Sequence, residues 1–178
     1  MVLTFEEKKI FFKNWLKLLT FVNNKYKIIK KFGSPENPVG LNINNIGKIR
    51  NKLWENVNII EEYIKCSNLE NEDKDIVVLW KKYKKGKFTI IKTLKKHTIF
   101  LDNKKNQLYG VNGITSPIIE MIPFFPIMVE TVLIPFKNKI IYDSLLEYDN
   151  ISFGGNYRRY FIENYNKIKK EKGIICEL

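Results

Sequence analysis

Apolar positions in the N-terminal half recur at helical spacing. Phe11, Trp15, Leu18, Leu19 and Val22 share one face, behind Thr4 and Glu7 in capping-box register. The pattern predicts a first helix, broken by Gly33-Ser34-Pro35-Glu36-Asn37-Pro38-Val39-Gly40. Ile46, Ile49, Leu53, Val57, Ile60 and Ile64 align as the face of a second. A third is expected from about Asn71, carrying Ile76, Leu79, Trp80 and Tyr83 and stopping at Gly86.

From Phe88 the period changes to that of strands. Phe88–Leu94 and Thr98–Leu101 are rich in β-branched and aromatic residues, and the polar turn 102–106 precedes Leu108–Val111. Ser116 and Pro117 suit a cap and first helical position, so a short helix is expected to Ile122. Ile127–Phe136 and Lys139–Tyr142 read as strands around the turn Lys137-Asn138. Gly154-Gly155-Asn156 opens a final helix, Tyr157–Lys172, ending at Gly173. Helices, then a mainly antiparallel sheet, then a C-terminal helix define an α+β protein. We read residues 1–178 as one domain, with a helical part at 1–86 and an α+β part at 87–178.

Composition narrows the function classes. The 178 residues are 44% hydrophobic and 28% charged, a globular balance. The formal net charge is +12, a surplus that attracts phosphates, acidic proteins or anionic lipid. Arg50, Arg158 and Arg159 are the only arginines, and the lysine, asparagine and isoleucine excess also fits a compositional bias of the source genome. Cys66 and Cys176 stand far apart without metal-ligand spacing, so neither a disulfide framework nor a zinc site follows. The apolar stretch from Ile118 to Phe136 carries two glutamates and three prolines, a poor membrane span. We expect a cytoplasmic protein with no membrane partner, no metal and no cofactor.

Three places could carry chemistry. Phe153-Gly154-Gly155-Asn156-Tyr157-Arg158-Arg159 is the leading anion-binding candidate. Gly154, Gly155 and Asn156 would offer backbone N–H groups at a helix start, and Arg158 and Arg159 would add charge-assisted donors. The run Lys81, Lys82, Tyr83, Lys84, Lys85 and Lys87, beside Trp80 and Phe88, could track a nucleic-acid backbone; the plainer reading is a solvated helix end. Lys167–Lys172 is a second charge run. His97, the only histidine, could be a general base with Asp143 or Asp102. Asp143, Glu147 and Asp149 follow a strand, where acids suit a cation but more often bond their own turns. Glu130 interrupts an apolar strand and is expected to face solvent.

The segments IIKTLKKHTIFL, LYGVNGITSPI, VETVLIPFKNKIIYDSLL and ISFGG resemble an uncharacterised bacterial family with similar LKKH-IF, LPF-x-x-x-IIYD and FGG words. The resemblance implies that the C-terminal half is one folded unit and implies no activity. Ser144 stands where the family pattern favours glycine. No Walker, Rossmann, zincin or nucleophile-elbow motif is present. The leading expectation is a basic binding module acting on nucleic acid or a nucleic-acid-handling complex. The alternatives are an effector or inhibitor that sets its basic face against an acidic protein, and a small hydrolase using His97.

Overall fold

The helical period of the N-terminal half resolves into α1 (Phe5–Tyr26), α2 (Ile43–Glu55), α3 (Ile59–Cys66) and α4 (Asn71–Leu79), followed by a 3-10 turn at Trp80–Lys82. The computed structural model describes residues 1–33, 40–122, 124–148 and 153–178. These form two units: Phe5–Lys81, and Met1–Thr4 with Lys82–Leu178. The residues between Gly33 and Gly40, and Asp149, lie outside the described residues.

In the helical unit Phe11, Trp15, Leu18, Leu19 and Val22 of α1 are fully buried, with Ile49, Leu53, Ile59, Ile60, Val77 and Trp80 from the other elements. The Trp80 ring meets Trp15 edge-on at 5.6 Å and Phe11 at 6.2 Å. Each such side chain contributes about 1.5–3 kcal/mol on burial. Asp73 is also buried, accepting hydrogen bonds from Asn14 Nδ2 at 2.7 Å and Lys13 Nζ at 2.7 Å. Burial alone would raise the Asp73 pKa; these two donors more than offset it and hold the carboxyl below its ordinary value.

The ends of α1 and α2 differ from the sequence expectation. α1 ends at Tyr26, well before Gly33, because Lys27 takes a left-handed φ of 53°. The Asn23 side chain there bonds both backbone groups of Ile29, replacing the helical ladder. The single helix expected from Ile46 to Ile64 is two, because Asn56 leaves the helical region at φ −138°, ψ 80°.

The second unit holds β1 (Lys84–Thr93), β2 (Thr98–Asp102), β3 (Gln107–Asn112), α5 (Ile118–Met121), β4 (Ile127–Phe136), β5 (Lys139–Tyr142), β6 (Glu147–Tyr148) and α6 (Gly155–Lys172). The sheet order is β1-β2-β3-β5-β4-β6, and β1 also pairs with β4. Five strands therefore close into a ring, β1-β2-β3-β5-β4-β1, with α5 between β3 and β4. All pairs are antiparallel except β3 with β5. The ring packs Phe88 against Phe100 and Tyr109, with centroids 6.2 and 6.0 Å apart.

Strand alternation sends the neighbouring residues of β1, β2 and β3 to the opposite face. There Ile91, Ile99, Leu101 and Leu108 are buried with Phe161, Tyr165 and Ile168 of α6. These α6 positions follow i, i+4, i+7, one helical face. Truncating Phe161 to alanine is the single change that would do most to detach it, costing about 3–5 kcal/mol. β3's remaining edge is shared. Val111 and Asn112 pair with β5, Ile175 bonds Leu108 and Gly110 at 2.9 and 2.8 Å, and Val2 bridges Gly113. Among the described residues no helix is long and apolar enough to cross a membrane.

The lysine run requires a correction. It was expected as the end of a helix stopping at Gly86, yet Lys84 onward is strand. Lys84, Lys85, Gly86 and Lys87 lie opposite Leu133, Val132, Thr131 and Glu130 of β4. The reason is tertiary: β4 is a strongly strand-forming partner, and its pairing overrides a local glycine signal.

Candidate nucleic-acid interface

The start of α6 is open. From Gly154 to Tyr160 every residue is exposed, and the next, Phe161, is buried. Gly154 caps the helix without a side-chain acceptor. Neither glycine is demanded by the fold: φ at Gly154 is −65°, and a Cβ on Gly154 or Gly155 would meet nothing within 4 Å. Arg158 donates from Nε to the Phe153 carbonyl at 3.1 Å, which anchors the root of its guanidinium. Arg159 lies 3.9 Å from Glu163, one turn on, with both side chains largely exposed. Such a pair is worth about 0–1 kcal/mol. Neither arginine is buried against a carboxylate.

The same turns carry two exposed phenol rings, Tyr157 and Tyr160. Tyr157 leans on Phe153 at 6.1 Å, Tyr160 meets Phe161 edge-on at 5.5 Å, and Phe153 and Phe161 themselves touch at 5.1 Å. Asn156, Tyr157 and Tyr160 line a shallow hollow of about 270 Å³.

The lysine run straddles the boundary between the units. Lys81 forms an ion pair with Glu61, and Lys87 lies 3.8 Å from Glu130, as expected of a solvent-facing Glu130. Lys82, Lys85 and Lys87 are exposed, while Tyr83 and Lys84 are half-buried. Part of this run's charge is thus matched by the protein's own carboxylates. In the second run Lys167, Lys169, Lys170 and Lys172 are exposed around a buried Ile168, and Lys172 bonds the Asn106 carbonyl at 3.2 Å.

His97 closes the β1–β2 hairpin, where its carbonyl accepts from the Leu94 amide at 2.8 Å. The pairing expected with a carboxylate is not formed. Asp102 accepts from the amides of Lys104 and Lys105 at 3.0 and 3.1 Å, the turn chemistry of an aspartate. Asp143 is fully buried, its amide donating to the Val132 carbonyl at 2.9 Å. His97 Nδ1 instead lies 3.9 Å from Cys176 Sγ, and Nε2 is buried without a hydrogen-bond partner among the described residues. Desolvation, then the terminal amine and Lys96, lowers the His97 pKa, and burial raises that of the Cys176 thiol. Both directions favour a neutral pair, the opposite of an activated thiolate–imidazolium dyad.

Glu147 sits opposite Glu130 on β6 and both are exposed. Among the described residues no group of three or more His, Cys, Asp or Glu could hold a metal ion. Sequence reasoning missed Tyr160 and the Cys176 contact. The first was legible as a ring three residues beyond Tyr157; the second joins positions 79 apart and left no local signal.

Comparisons with family models, curated proteins and solved structures find no match to this chain.

Proposed function

We propose that this chain is a basic, non-catalytic module that binds nucleic acid through phosphate contacts centred on Arg158 and Arg159. The observation that carries the reading is the exposure of Arg158 and Arg159 on the opening turns of α6, where a helix dipole disfavours positive charge and favours an anion. The open backbone at Gly154 and Gly155 lets a phosphate approach the helix start, and the net charge of +12 supplies long-range attraction. Residues of β1, β2 and β3 are buried against one face of α6, so the reading uses the exposed face of that helix.

Electrophoretic shift of a labelled oligonucleotide at low salt tests the reading. Affinity is expected to fall steeply with salt. Arg158→Ala with Arg159→Ala should flatten the log–log salt slope by about two. No shift of DNA or RNA at low salt overturns the proposal. A second reading, an acidic protein partner, draws on the same tyrosines and arginines, residue types enriched in interface hot spots.

A further inference from the structure

We infer that the α6 surface takes unpaired rather than duplex nucleic acid, stacking bases on Tyr157 and Tyr160 while Arg158 and Arg159 hold the backbone. This rests on the nucleic-acid reading above and adds to it the form of the strand.

The rings are exposed yet braced. Tyr157 is 63% and Tyr160 57% exposed, on a helix otherwise rich in charge. Phe153 and Phe161 form an aromatic footing beneath both. A ring held by such contacts loses little freedom when a base lands on it, which is the condition for a useful stacking platform. Phe161 in turn is fixed in the cluster over β1, β2 and β3, so the platform is tied to the sheet.

Spacing favours successive bases. Residues three apart on a helix have Cβ atoms about 5–6 Å apart, and an extended strand can set neighbouring bases at a similar interval. The hollow of about 270 Å³ at Asn156, Tyr157 and Tyr160 is smaller than the ~300–1,000 Å³ clefts that take drug-sized ligands. Arg158, anchored to the Phe153 carbonyl, and Arg159 lie between the two tyrosines in sequence, so phosphate contacts and stacking share the same two turns. In a duplex the base faces are already stacked and unavailable. The +12 surplus and the arginine pair match a polyphosphate backbone, and the paired exposed rings favour a nucleic acid among anionic occupants because stacking uses the π-face that every base presents.

The test uses the full chain, a fluorescein-labelled oligothymidine, a duplex of matched charge and a polyglutamate peptide, with binding read by anisotropy at low salt. Tyr157→Ala with Tyr160→Ala should weaken the single strand by roughly 5- to 150-fold per ring and change duplex binding less than twofold. Tyr157→Phe with Tyr160→Phe, which keeps both rings, should bind the single strand as the parent does. Melting temperatures confirm that each variant is folded; should the alanine pair not fold, Tyr160→Ala alone carries the comparison. Equal losses for single strand and duplex, or no loss for either while the parent binds both, overturn the stacking inference and leave the phosphate reading standing. Failure of the parent to bind any nucleic acid removes both. Polyglutamate bound as tightly as oligothymidine, and lost with the same tyrosines, makes the surface a protein-docking one and overturns the inference.

Discussion

Gly110 lies directly beneath the imidazole of His97: a Cβ built on Gly110 would stand 2.8 Å from His97 Cγ and 3.0 Å from Cys176 Sγ. Three residues from β3, the β1–β2 hairpin and the segment after α6 therefore meet at a point where only a hydrogen fits. The glycine is set by this close approach, since its φ is not in the left-handed region. Gly110→Ala should expel the ring or the thiol and destabilise the protein by about 1–3 kcal/mol, read from urea unfolding. Unchanged stability would show that the ring is not seated there.

The neutral His97 makes stability depend on pH in a defined direction. In the unfolded chain the ring titrates near its ordinary value of about 6.5; in the folded protein desolvation, the terminal amine and Lys96 lower it. Below about pH 6.5 the unfolded chain thus takes up a proton that the folded chain refuses, and the unfolding free energy falls as pH drops toward the folded value. Above that window the contribution is level. The Cys176 thiol facing the ring stays protonated throughout, since burial raises its pKa. Urea midpoints of the parent and His97→Gln, compared at pH 7.5 and 5.5, should show the smaller decline in the variant. Parallel declines would refute the assignment.

Ser144 carries a φ of 87° just after buried Asp143. A side chain in this left-handed region is strained, and glycine adopts it freely. Ser144→Gly should therefore raise stability by about 0.5–1 kcal/mol, measured as a shift in denaturant midpoint at constant slope. A loss would mean that the serine hydroxyl contributes more than the backbone strain costs.

Much of the fold was legible because local and tertiary preferences agree. β4 and β5 occupy the expected spans, Ile127–Phe136 and Lys139–Tyr142, and α6 ends at Gly173 with φ 75°. Where the two preferences conflict, tertiary pairing wins, as at Lys84–Lys87. β6 was illegible because two residues, Glu147 and Tyr148, present no period; pairing with Val129 and Glu130 alone defines them. The parallel contact of β3 with β5 likewise has no signature in either strand. At the candidate site, Arg158 and Arg159 were visible as a rare residue type at a helix start. The burial of β1, β2 and β3 under the other face of α6 was not, because it depends on which sheet face a distant helix covers.

The barrel unit is discontinuous in sequence, and this orders its assembly. Leu3 bonds Gly113, and the whole helical unit lies between Thr4 and Lys82. During synthesis at about 5–20 residues per second, helices α1 to α4 emerge seconds before Gly113 exists to receive Leu3. The helical unit can thus gather its own core first, while Leu3 waits for its partner. Closing so long a loop costs only about 0.6 kcal/mol more than closing one of half its length. The delay is therefore one of timing rather than stability: Leu3 is separated from its sheet partner Gly113 by the whole helical unit and is among the last residues that the sheet captures.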